Sequence, residues 1–103
     1  MLFMMSEKDK LIGKMARIFG NETSLKIILS LEDGIRHSFN DLKRACNACS
    51  PSVNYSLLVL IKEGVIKRIE VSKKPKRVYY ELTDYGKECL EIIKKFFSIH
   101  KSR

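Results

Sequence analysis

A chain of 103 residues has room for one compact domain, and with 45% hydrophobic residues it can build a core, which excludes a disordered tail. Twenty Lys and Arg against 12 Asp and Glu leave a net charge of +8, a sign that suits nucleic acid first and, with equal sign, an acidic membrane surface or acidic protein. The apolar run Met1 to Met5 is too short for a signal-peptide core, no run approaches the roughly 18 residues of a spanning helix, and three cysteines do not make a secreted disulfide scaffold, so a cytoplasmic protein is expected.

Leu11, Ile12, Met15, Ile18 and Phe19 recur at helical spacing and predict an amphipathic helix over 7–19, ended by Gly20. Asn21 caps a second helix through Leu25, Ile28, Leu29 and Leu31, which stops at Asp33-Gly34. Ser38 with Asp41 forms a capping-box variant. The short helix it opens buries Phe39, Leu42 and Cys46 and exposes Asn40, Lys43, Arg44 and Asn47. After a turn at Asn47 to Cys49, Ser50 reads as an N-cap and Pro51 as the first helical residue. This helix runs to Glu63, with Val53, Leu57 and Leu60 inward, and Gly64 ends it.

Val65 to Val71 is rich in β-branched residues and predicts a strand; Ser72 to Arg77 is a turn around Pro75, and Val78 to Leu82 is the returning strand. Thr83 caps a last helix over 84–100 that carries Tyr85, Cys89, Ile92, Ile93 and Phe96. The order predicts an α+β, mainly helical fold over 1–103: a helix-turn-helix at 38–63, a wing at 65–82, and an extra helix at each end.

The stretch Ile28 to Leu90 resembles the HxlR-type branch of winged-helix transcription regulators, with MarR, PadR and ArsR types as relatives. Four pieces carry the resemblance in order: Ser38-Phe39-Asn40-Asp41-Leu42, Ser50-Pro51, Lys62-Glu63-Gly64-Val65-Ile66, and Lys74-Pro75 through Tyr85-Gly86. The chain departs from that pattern in having no Trp, no Cys before Cys46, and apolar Leu58, Val59 and Ile61 at usually charged positions. The resemblance implies a transcription regulator that binds duplex DNA, with the 51–63 helix in the major groove and the 72–77 wing on the backbone or in the minor groove.

Stepping 100° per residue from Val53, the side chains of Ser52, Asn54, Tyr55, Leu58 and Lys62 point at least about 100° away from the buried side. Asn54 can pair with adenine, Ser52 with bases or phosphate, and the Tyr55 ring with a thymine methyl, whereas the strong guanine-reading arginine is missing. Residues 62–77 hold seven basic and two acidic side chains, +5 in all, and the tip brings Lys73, Lys74, Lys76 and Arg77 together for phosphate. Ser38, Asn40, Lys43 and Ser50 complete the candidate DNA contacts.

Cys46 and Cys49 form a lone C-x-x-C with too few further ligands for zinc; they are read as small buried residues, with a redox role as the alternative because Cys49 adjoins a helix start. His37 and His100 are read as isolated surface or loop residues. No cofactor, metal or catalytic constellation is expected, hence no enzyme. The terminal helices carry more apolar surface than a small core needs, with Leu90 and Phe97 adding to the last one, which predicts a homodimer packed through both ends. Two other roles stay open: a winged helix that binds protein, and a non-specific architectural DNA binder.

Overall fold

In a computed structural model the described residues are 2–71 and 74–101, with side chains from residue 7 onward. Five helices and one hairpin follow in the order α1 (Leu2–Phe19), α2 (Glu22–Ser30), α3 (Phe39–Cys46), α4 (Ser50–Lys62), β1 (Ile66–Glu70), β2 (Val78–Leu82) and α5 (Asp84–Lys101). This is the expected mainly helical α+β winged helix-turn-helix. α1 starts at Leu2, five residues before the predicted position 7.

α2 occupies the centre and packs against α1, α3, α4 and α5. Both Ile27 and Ile28 are fully buried, so α2 is covered on two sides, where periodicity had assigned a single apolar face including only Ile28. Ile18, Leu31, Leu42, Val53, Leu57, Leu60, Leu82, Cys89, Leu90 and Ile93 complete most of the core. Asn21 caps α2 as expected, its Oδ1 accepting from Ser24 N at 3.2 Å. Phe39 is only half-buried, since the first turn of α3 lies at the edge of the core.

The hairpin is antiparallel, with Ile66 opposite Leu82 and Glu70 opposite Val78. An isolated bridge adds His37 to its edge: His37 N donates to Tyr80 O at 2.9 Å and Tyr80 N to His37 O at 2.8 Å. His37 is therefore not an isolated residue, as the sequence had suggested. Its Nε2 also lies 2.9 Å from Asp33 Oδ2, a contact between loop residues four apart.

Thr83 joins α4, the wing and α5. Its Oγ1 donates to Gly64 O at 2.5 Å, with Val65 O a second acceptor at 3.2 Å, and accepts from Gly86 N at 2.9 Å. Gly86 passes so close to the wing's base that a Cβ there would overlap the Val65 carbonyl oxygen. We expect Gly86→Ala to destabilise the fold by about 3 kcal/mol, as overpacking against rigid backbone does. Urea unfolding followed by circular dichroism checks this; an unchanged midpoint would show that α5 can shift freely.

Candidate nucleic-acid interface

α4 is amphipathic as the wheel requires. Val53, Leu57 and Leu60 are buried, while Ser52, Asn54, Tyr55, Leu58 and Lys62 are exposed, Tyr55 by 65% and Leu58 by 60%. Ser56 is buried too, and its hydroxyl donates to Asn21 Oδ1 at 3.4 Å. Val59 is half-buried and with Tyr55 borders a hollow against Ala16, Arg17 and Gly20 of the α1 end. Its apolar character thus has a packing role.

The start of α4 differs by one residue from the expected one. Cys49, not Ser50, is the N-cap: its backbone is extended (φ −76°, ψ 155°) and its carbonyl accepts from Val53 N at 3.1 Å. No side chain caps this end, and Ser50 is already helical and half-buried, with Pro51 following. Local sequence favoured Ser50 as the better cap. The turn between the helices passes through Asn47, the left-handed C-cap of α3 (φ 50°), and the N-cap of α4, Cys49, follows two residues later.

On α3, Ser38 Oγ accepts from Asp41 N and Asp41 Oδ2 accepts from Ser38 N, both at 3.2 Å. The capping box is complete, so the Ser38 oxygen is engaged in holding α3. The Ser38 N–H is the main reason the Asp41 carboxyl sits below its ordinary range. Asp41 also accepts from Arg44 at 2.6 Å. Asn40 and the half-buried Lys43 share a shallow hollow with Arg44, Asn47 and Ala48, beside the turn that leads into α4. Arg44 and Asn47 were read as exposed but not as contacts; their grouping here follows from the turn, which periodicity alone does not describe.

The wing holds Lys74, Lys76 and Arg77 exposed, and Lys73 lies outside the described residues. Several of its cations are paired within the hairpin: Lys67 with Glu81 (3.3 Å), Arg68 with Glu70 (3.1 Å) and Lys76 with Glu70 (2.9 Å). Arg36 lies over the Tyr79 ring at 5.4 Å, adding a cation beside the wing that the sequence reading missed.

Glu63, the C-cap of α4, was counted only as an acidic residue. Its carboxylate accepts from Arg17 Nε at 2.6 Å and Lys14 Nζ at 3.1 Å, and Lys14 also donates to its backbone oxygen at 3.0 Å. These contacts, Arg17 first, hold the Glu63 carboxyl below the usual range. Partners 46 and 49 residues away leave no local signal.

The two C-x-x-C thiols occupy different surroundings. Cys46 is buried, and burial pushes its thiol pKa up; Cys49 is exposed, and a hydrogen bond with Ser52 Oγ (3.2 Å) pulls its thiol down. Among the described residues no group of three or more His, Cys, Asp or Glu could hold a metal ion, and no helix is long and apolar enough to cross a membrane.

Residues 18–102 match the HxlR-like helix-turn-helix family. Among solved structures, the proposed HTH-type transcriptional regulator ytcD superposes with a TM-score of 0.72 at 26% identity, over 90% of this chain and 98% of that one. A proposed MarR-family transcriptional regulator from Porphyromonas gingivalis W83 gives 0.71 at 29% identity, over 87% and 88%. The redox regulator HypR in its oxidised form gives 0.77 at 20% identity, over 89% and 95%, a likeness of fold alone. No curated protein matches the chain in sequence. With 85 of its residues matched by that family, the chain belongs to the HxlR-like helix-turn-helix regulators and is a winged-helix transcription regulator.

Proposed function

We propose that this protein acts in the cytoplasm as a homodimer that binds a palindromic duplex site, α4 entering the major groove and the wing meeting the backbone or minor groove. The role is binding, without catalysis. The observation that carries the reading is the exposed polar start of α4, Ser52, Asn54 and Tyr55, on a helix whose end runs directly into a cationic wing. Asn40, Lys43, Ser50, Lys62, Lys74, Lys76 and Arg77 are the supporting contacts, with Lys73 added from sequence and Ser38 acting through its cap on α3.

Dimerisation is supported by surface that the monomer leaves open. The accessible surface is 7631 Å², against about 6,000 Å² expected for a folded monomer of 11.9 kDa. The radius of gyration, 15.3 Å, likewise exceeds the roughly 13 Å of a compact 100-residue domain. Much of this excess is apolar: Leu11, Ile12 and Met15 of α1 and Ile92, Phe96 and Phe97 of α5 are all at least 47% exposed. A cavity of about 520 Å³ opens between α1, α2 and α5 with an almost wholly apolar lining. A standard interface buries about 800 Å² per partner, and a second copy packed on this face would cover those side chains.

Two experiments test these points. Lys74, Lys76 and Arg77→Ala together should weaken binding to every duplex and flatten its salt dependence, whereas Asn54→Ala should cost about 1–3 kcal/mol at one base step only. Anisotropy titrations of specific and random duplex at two salt concentrations separate these effects; a chain that binds neither duplex would favour the protein-interaction role. Ile92→Asp with Phe96→Asp should convert the dimer to a folded monomer in analytical ultracentrifugation, and a wild-type monomer at micromolar concentration would remove the dimer.

A second reading is favoured by Cys49, an exposed thiol of lowered pKa touching Ser52 on α4: its chemical state regulates DNA binding. Cys49 should react with a maleimide in the folded protein while Cys46 and Cys89 react only on unfolding, and its reaction should persist at lower pH than that of an ordinary thiol. Unchanged DNA affinity after labelling Cys49 would dispose of the regulatory role.

A further inference from the structure

The wing carries its own anions. Arg68 and Glu70 are two apart on β1 and share a face, where Arg68 Nη1 donates to Glu70 Oε2 at 3.1 Å. Lys76, arriving from the turn, brings Nζ to 2.9 Å from the same oxygen. On the opposite face Lys67 stands directly across from Glu81 and pairs with it at 3.3 Å. Lys74 and Arg77 make no ion pair among the described residues. One of the three described cations of the tip is thus held by a carboxylate before any partner arrives.

We propose that Glu70 limits the affinity of the wing for nucleic-acid phosphate, because its carboxylate holds Lys76 and Arg68 in the free protein and competes with the backbone for both. The inference rests on the duplex-binding reading above. Carboxylate and phosphate are both anionic oxygen acceptors, and the same ammonium donors serve either one. Binding through Lys76 therefore requires it to leave Glu70, or else brings phosphate and carboxylate charges together. Since the contact is to backbone, the loss falls on every sequence alike. Glu70 stays ionised at neutral pH, held below the ordinary carboxylate range chiefly by Lys76. Its side chain is 42% exposed and that of Lys76 63%, and exposed pairs of this kind are weak. The brake is correspondingly light, about two- to fivefold in affinity.

Glu70→Gln keeps the shape of the side chain and removes its charge. In anisotropy titrations of the full chain with a labelled random duplex across a potassium chloride series, E70Q should bind about two- to fivefold more tightly than wild type, with a log–log salt slope steeper by about one. Glu32→Gln makes the same change of net charge at an exposed position outside the wing and should leave affinity near wild type. In a Lys76→Ala background most of the gain from E70Q should vanish. Equal affinity of E70Q and wild type while K76A weakens binding overturns the proposal and leaves the duplex reading standing. An E70Q gain matched by E32Q also overturns it, since bulk charge would then suffice. If neither K76A nor E70Q changes binding, Lys76 does not meet phosphate and the proposal fails, whereas the duplex reading itself fails only if the wild-type chain binds neither specific nor random duplex.

Discussion

The geometry of the DNA-binding unit depends on one short junction, Glu63 to Ile66, where four elements meet. Gly64 turns the chain with φ at 80°, a conformation that costs a side-chain-bearing residue most, and Val65 N then returns to Leu60 O at 2.9 Å. The Val65 carbonyl accepts from Thr83 N at 3.0 Å, and the Thr83 hydroxyl ties Gly64 to the first turn of α5. One residue earlier, Glu63 collects Lys14 and Arg17 from α1. Buried backbone groups must find partners, so a shift of the wing relative to α4 breaks several bonds at once. The wing and α4 form one frame, and the terminal helices are tied to that frame rather than appended to it.

The elements themselves were legible in sequence because each has a local cause. Asn21, the Ser38–Asp41 box, Pro51, Gly64 and Thr83 are punctuation whose physics acts over three or four residues, and the hairpin shows as a β-branched run over 65–71 with a returning strand over 78–82 beyond a polar turn. The exposed side of α4 followed from 3.6-residue periodicity and needs no tertiary information. What escaped was tertiary or non-local. Ile27 is buried because α2 has neighbours on two sides, Glu63 matters because of α1, and His37 pairs with a strand far along the chain. Cys49 is the cap in place of Ser50 although no side chain caps that end, an outcome that local side-chain preference does not give.

Charge is where counting and structure part most clearly. The +5 of residues 62–77 suggests a uniformly cationic hairpin, yet both acidic residues of that stretch are occupied, Glu63 by α1 and Glu70 by the wing itself. Glu81 takes Lys67 from the opposite face. Within residues 62–77, the described cations without such partners are Lys74 and Arg77 at the tip and Lys62 at the end of α4. A net charge describes long-range attraction to a polyanion. Which side chains can exchange water for phosphate is decided by local pairs of a few ångströms.

The same economy bears on why a second copy would matter for recognition as well as for burial. The first turns of α4 offer Ser52, Asn54 and Tyr55 but no guanidinium, so one helix has few means to discriminate bases, each good contact being worth about 1–3 kcal/mol. Leu58, exposed at 60%, adds contact surface without a donor or acceptor. A monomer built this way would draw most of its affinity from phosphate and little from sequence. Pairing two such helices through α1 and α5 doubles the base contacts and adds a fixed spacing between half-sites, a geometric filter that costs no further side chains. The apolar surplus of the terminal helices and the modest chemistry of α4 thus both support the proposed dimer, in which specificity would come from the spacing of two helices more than from any single residue.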